Sequence, residues 1–230
     1  MKTFINNKLA LMLTMFVAIA LALSSCKKDP DPEPIVFGDA KISITNTVSG
    51  SNAQDFYQND TKLTSTAVAY AQSSPYLTVK AGNSALSFRN TGSTNVTATT
   101  TVGLETNASY RVFYYSNSAG GARITGFGID NTLPAAGKAK VKFINLGPAL
   151  NNTLNVSVAG GAALLAGLAF EEPRSNYVTI DANTALEFSV LGSGLTSAIP
   201  AANFIAGKIY TVWFDAANAT TAQFHIIQEN

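Results

Sequence analysis

The chain repeats itself. Residues 40–46 read AKISITN and residues 139–145 read AKVKFIN; Leu86-Ser87-Phe88 answers Leu186-Glu187-Phe188, and Tyr110-Arg111-Val112-Phe113-Tyr114 answers Tyr210-Thr211-Val212-Trp213-Phe214. Ser74-Pro75-Tyr76 likewise answers Ser175-Asn176-Tyr177, so four segments hold offsets of 99 to 101 residues. A period that long is a domain rather than a solenoid unit, so both halves must reach the same architecture. Between them, Asn131-Thr132-Leu133-Pro134-Ala135-Ala136-Gly137 carries the Pro and Gly of a boundary. The sequence predicts two domains, at residues 40–130 and 139–230.

Within each copy the apolar pattern has period two. Val141, Phe143 and Asn145 alternate with Lys140, Lys142 and Ile144, and Leu154, Val156 and Val158 with Asn155, Ser157 and Ala159. Half-buried strands alternate in this way, and here they are separated by turn formers such as Ser49-Gly50, Asn90-Thr91-Gly92, Gly160-Gly161 and Gly192-Ser193-Gly194. Seven or eight short strands in about 90 residues is the signature of an Ig-like sandwich. Hydrophobic residues at 47% against 13% charged agree with a turn-rich β protein. The predicted fold is all-β, two tandem Ig-like antiparallel β-sandwiches.

Strand parity singles out three aromatics. Tyr110, Val112 and Tyr114 share a face, as do Tyr210, Val212 and Phe214, and these are the expected core faces. Phe113 and Trp213 then fall on the opposite faces, beside Arg111 and Tyr115 in one copy and Thr211 and Asp215 in the other. An aromatic among polar neighbours needs a cover: the sibling domain, a loop, or a ligand such as a sugar ring. Trp213, Phe113 and Tyr115 are therefore the expected ligand or interdomain contacts. As an outer-face residue, Trp213 should cost less on truncation to alanine than the roughly 3–5 kcal/mol of a core aromatic.

The N-terminus speaks to location. Lys2 and Lys8 precede an apolar run from Leu9 to Leu23, too short for the roughly 20 residues of a membrane span, and the run ends in Leu23-Ser24-Ser25-Cys26. This resembles a bacterial lipoprotein signal, which implies cleavage after residue 25 and lipid on Cys26, the only cysteine. Durable anchoring takes at least two acyl chains. Residues 26–39 then form a tether in which Asp29-Pro30-Asp31-Pro32-Glu33-Pro34 favours extended polyproline II. Acids soon after the cysteine resemble the export signal of Bacteroidota-type surface lipoproteins, implying a lipid-anchored outer-membrane protein displayed at the surface. The alternatives are a plain spacer and the periplasmic face.

Little else carries chemistry. With His225 the single histidine and no cysteine besides Cys26, zinc, copper and His-based triads have no basis, and no metal or cofactor is expected. His225 reads as a solvated strand residue, matched by Thr125 in the first copy. Glu171-Glu172 is the only acidic pair and reads as a water-facing loop, so no catalytic residue is assigned. Asp130-Asn131, Asp181-Ala182-Asn183 and Asp215-Ala216-Ala217-Asn218 lack the spacing of a calcium loop and read as turn caps. The formal net charge of +1 gives nucleic acid no electrostatic footprint.

The run AKVKFINLGPALNNTLNVSV from Ala139, with Ser175 to Ile180 and Leu186 to Val190, resembles domain of unknown function 4397. That family comprises β-sandwich modules, often in tandem, on secreted or lipid-anchored bacterial proteins. The resemblance would cover residues 40–230, the second copy more closely than the first, which lacks the proline standing at Pro148. It implies no agreed activity. The expectation is a non-enzymatic envelope or surface protein that binds or presents a ligand, carbohydrate or envelope polymer leading. The alternative is an accessory subunit supporting a partner outer-membrane protein.

Overall fold

The computed structural model describes residues 37–171 and 176–230. The predicted signal, Cys26 and the tether up to residue 36 lie outside the described residues. The first half contains β1 (Asp39–Asn46), β2 (Gln54–Gln58), β3 (Thr61–Lys62), β4 (Leu77–Lys80), β5 (Gly82–Asn90), β6 (Val96–Leu104), β7 (Ser109–Ser116) and β8 (Ala122–Gly128). The second contains β9 (Lys138–Asn145), β10 (Leu154–Val158), β11 (Ala163–Leu168), β12 (Val178–Asp181), β13 (Leu186–Val190), β14 (Ser197–Ile199), β15 (Ile209–Asn218) and β16 (Thr221–Gln228). One 3₁₀ turn, Ala201–Asn203, is the only helical element among the described residues.

The strands form four sheets, β4-β1-β7-β8 and β3-β2-β5-β6 in the first half, β12-β9-β15-β16 and β11-β10-β13-β14 in the second. The molecule is all-β, and the sheets pair into two sandwich-like units. The antiparallel expectation needs one correction in each half. β1 runs parallel to β7, with Ile44 opposite Val112, and β9 runs parallel to β15, with Phe143 opposite Val212. Alternation fixes which residues share a face but is blind to strand direction, so the sequence pattern could not distinguish the two pairings.

Repeated residues do repeated work. The fully buried Asn46 and Asn145 each donate from Nδ2 to a carbonyl, of Val68 at 3.2 Å and Leu168 at 3.3 Å. Each accepts at Oδ1 from a backbone N–H two residues on, both at 3.0 Å. The hydroxyls of Tyr110 and Tyr210 each accept a backbone N–H from five residues upstream, Glu105 at 2.8 Å and Ile205 at 2.9 Å. This is the tyrosine corner of Ig-like sandwiches, in duplicate.

Each half has a core between its sheets. Ile42, Ile44, Phe56, Phe88, Val112 and Tyr114 fill the first, and Val141, Phe143, Phe188, Val212 and Phe214 the second. A third core, of Phe113, Tyr115, Ile144, Leu146 and Trp213, is shared. It lies where the outer face of the β1–β7–β8 sheet meets the outer face of the β9–β15–β16 sheet. The two halves thus join along a buried seam.

Candidate functional site

At the seam the structure gathers all three aromatics singled out by parity. Phe113, Tyr115 and Trp213 are buried together, Trp213 only 1% exposed. They cover one another, with Phe127, Phe170 and Ile227 at the margin. Trp213 is therefore packed as a core residue, so the truncation cost to expect is that of a core aromatic rather than the smaller one of an outer-face residue.

His225 is corrected too. It stacks on the Trp213 ring at 3.8 Å between centroids, meets Tyr70 edge-on at 6.0 Å, and places Nε2 3.5 Å from Oδ2 of Asp215. Its neighbour in register is Trp213, whose flat indole gives the imidazole a surface to cover rather than solvent. Asp215 is likewise no turn cap. It lies within β15, is 5% exposed, and accepts the Tyr70 hydroxyl at Oδ2. Burial first, then the Asp215 carboxylate, pushes the Tyr70 phenol well above its ordinary range.

A second polar group crosses the seam. Arg111 donates to Glu229 from Nε at 3.1 Å and Nη2 at 2.7 Å, with side chains 2% and 0% exposed. Arg111 Nη1 also donates to Ser43 Oγ at 2.6 Å, while Glu229 accepts the hydroxyls of Thr211 at 2.6 Å and Tyr76 at 2.8 Å. Such a pair is tolerable in a buried seam only because every strong donor and acceptor is met. The sequence did carry its signal: the repeat breaks at these positions, where Arg111 answers Thr211 and Ile129 answers Glu229.

The first half also has an open cleft of about 240 Å³ between its two edge strands, β6 and β8. Leu86, Val102, Leu104, Tyr110, Val112 and Ile124 form its apolar walls. Thr100, opposite the core residue Leu86 in register, adds a hydroxyl. The second half closes the same place. Where the first has Leu104, Ile124 and Gly126, the second has Phe204, Phe224 and Ile226, all packed in or against its core. Gly126 cannot be enlarged, because a Cβ there would stand 2.5 Å from the Arg111 carbonyl oxygen. β6 itself is nine residues long without charge or proline, whereas its counterpart β14 has three and is followed by Pro200.

Among the described residues no three His, Cys, Asp or Glu side chains gather as metal ligands. Among the described residues, Phe37 is the one aromatic among the exposed large hydrophobic residues.

Residues 40–153 match the family described as "Domain of unknown function (DUF4397)". The match spans the first half and continues through β9, so it falls chiefly on the copy that resembled the family less in sequence. No curated protein matches the chain. Among solved structures, the chain is similar to CBMbc, of family CBM26, from Eubacterium rectale Amy13K in complex with maltoheptaose, at 14% identity and a TM-score of 0.26, covering 84% of this chain and 97% of that one. It is similar to a streptococcal virulence factor that binds α-glucan, at 13% identity and a TM-score of 0.25, covering 81% and 96%. A third likeness is to the Bacillus anthracis TIE protein, at 10% identity and a TM-score of 0.23, covering 79% and 34%.

Proposed function

We propose that the chain is a non-enzymatic binding module of the bacterial cell envelope, with tandem sandwiches of the one family. Lipid on Cys26 holds it to the outer membrane, and its ligand is a carbohydrate or envelope polymer. The carrying observation is the β6–β8 cleft, kept open in one copy of a duplicated sandwich and filled by Phe204, Phe224 and Ile226 in the other. The C–H face of a sugar ring packs on apolar and aromatic walls of this kind, with a few hydroxyls fixing its orientation. Val102, Tyr110 and Ile124 supply the walls here and Thr100 a hydroxyl. The buried trio Phe113, Tyr115 and Trp213 serves the seam instead.

The second reading, an accessory subunit for an outer-membrane protein, is favoured by β6. Among the described residues no strand pairs with its outer edge over its nine residues, and a partner's extended segment could add there as a further strand.

Extraction of the full chain in mild detergent separates the two: polysaccharide co-purifies under the first reading and a defined protein under the second. Replacing Leu104 and Ile124 by the phenylalanines of the second half should abolish polysaccharide retention while leaving the melting temperature unchanged. Undiminished retention by that variant would remove the cleft from the proposal. Cys26→Ser should release the protein from membranes; partition that survives a high-salt wash would overturn the anchor.

A further inference from the structure

We propose that a second cleft, beside Asp215 at the seam, binds an alkylammonium group, with the cation on the Asp215 carboxylate and the hydrocarbon stem along Val48, Leu146 and Pro148. The cleft has a volume of about 230 Å³ and takes its walls from both halves. Asp215 stands on its wall, 5% exposed, and its carboxylate is only half satisfied. Oδ2 has the Tyr70 hydroxyl and, 3.5 Å away, His225 Nε2, whereas Oδ1 is buried without any hydrogen-bond partner. Glu229, the other carboxylate in the seam, shows the contrast: both its oxygens are met by Arg111, Thr211 and Tyr76.

A buried carboxylate oxygen without a donor is costly, and the His225 ring approaches Oδ2 rather than Oδ1. Among the described residues His225 is the only ion-pair partner found for Asp215. The missing partner therefore donates protons and carries positive charge. A divalent metal wants several carboxylates, and only one is present. A guanidinium wants a fork of two free oxygens, and only one is free. A compact ammonium needs a single carboxylate oxygen plus hydroxyl lone pairs, which Thr47 and Ser49 hold on the cleft wall. The apolar wall then suits the methylene stem.

The test uses n-butylammonium as the probe and n-butanol as its neutral counterpart, read by Trp213 fluorescence on the full chain. Trp213 is the only tryptophan and stacks on the imidazole that faces Asp215. The expected result is a saturable change with n-butylammonium, none with n-butanol, and at least a roughly tenfold loss of affinity in Asp215→Asn. Because Asp215→Asn also alters the Tyr70 and His225 contacts, Ala149→Leu provides a second variant, narrowing the exposed mouth with the carboxylate intact. It too should lose binding. An absent signal in the native chain, an equal response to n-butanol, or full binding in either variant would overturn the proposal.

Discussion

Arg111 and Glu229 show how much can hang on one side chain. Removing one member of a buried pair strands the other, so Glu229→Gln should lower the unfolding free energy by about 3–5 kcal/mol in urea titration. The double change Arg111→Met with Glu229→Leu should recover part of that, because it strands no charge, although the Thr211 and Tyr76 hydroxyls lose their acceptor. Trp213→Ala, which opens the third core, should cost about 3–5 kcal/mol by the same assay. Asp130 makes a smaller contribution that depends on pH. The Lys140 ammonium, then the Thr132 backbone N–H, hold its carboxyl down to about 2. A depressed carboxylate stabilises the folded state above its unfolded value of about 3.9 and loses that contribution as pH falls toward about 2. Asp130 is 53% exposed, so solvent screening limits the effect to about 1 kcal/mol or less. NMR titration should find Asp130 still ionised at pH values where exposed aspartates have taken up a proton, and Asp130→Asn should flatten that part of the acid stability curve.

At the scale of strands, the repeat and the period-two pattern made most of the architecture legible. Val141 and Phe143 face one way and Ile144 the other, and the structure buries them in different cores. The parallel partners of β1 and β9 were not legible, because direction leaves no trace in alternation. Nor was the environment of His225, since a strand pattern names the face a residue points to but not the sheet that will lie against it. The cleft was legible only by comparing copies: Gly126 against Ile226 and Ile124 against Phe224 show where one sandwich lacks the side chains of the other. β8 keeps Gly126 for its close approach to the Arg111 carbonyl, so Gly126→Ala should destabilise by backbone conflict. Gly128→Ala, whose Cβ would meet only Tyr110 at 3.9 Å, should be nearly neutral, and thermal melts of the two variants check the difference.

The whole molecule is held by what its two halves share, and the phenols around the seam report on it. Burial, then Glu229, raises Tyr76 well above the usual tyrosine range; the same two causes push Tyr177 up to about 12, and burial with Asp215 raises Tyr70. A raised pKa means the folded state holds its protons more tightly. The stabilisation is complete below the unfolded value of about 10 and is lost as pH climbs through the folded values. Spectrophotometric titration should show these phenols ionising late and together, as the seam gives way; ionisation of all eight tyrosines in one step near pH 10 would contradict the burial. The two halves present equivalent faces to each other, Phe113 against Trp213 and Phe127 against Ile227, which is the arrangement of a twofold homodimer. The charged residues spoil that symmetry. Two first halves pairing through this face would bury two copies of Arg111 without Glu229, and two second halves would bury two copies of Glu229 without Arg111. Each half is thus barred from its own kind and matched to its sibling, a mate the chain carries on the short leash between Gly128 and Lys138.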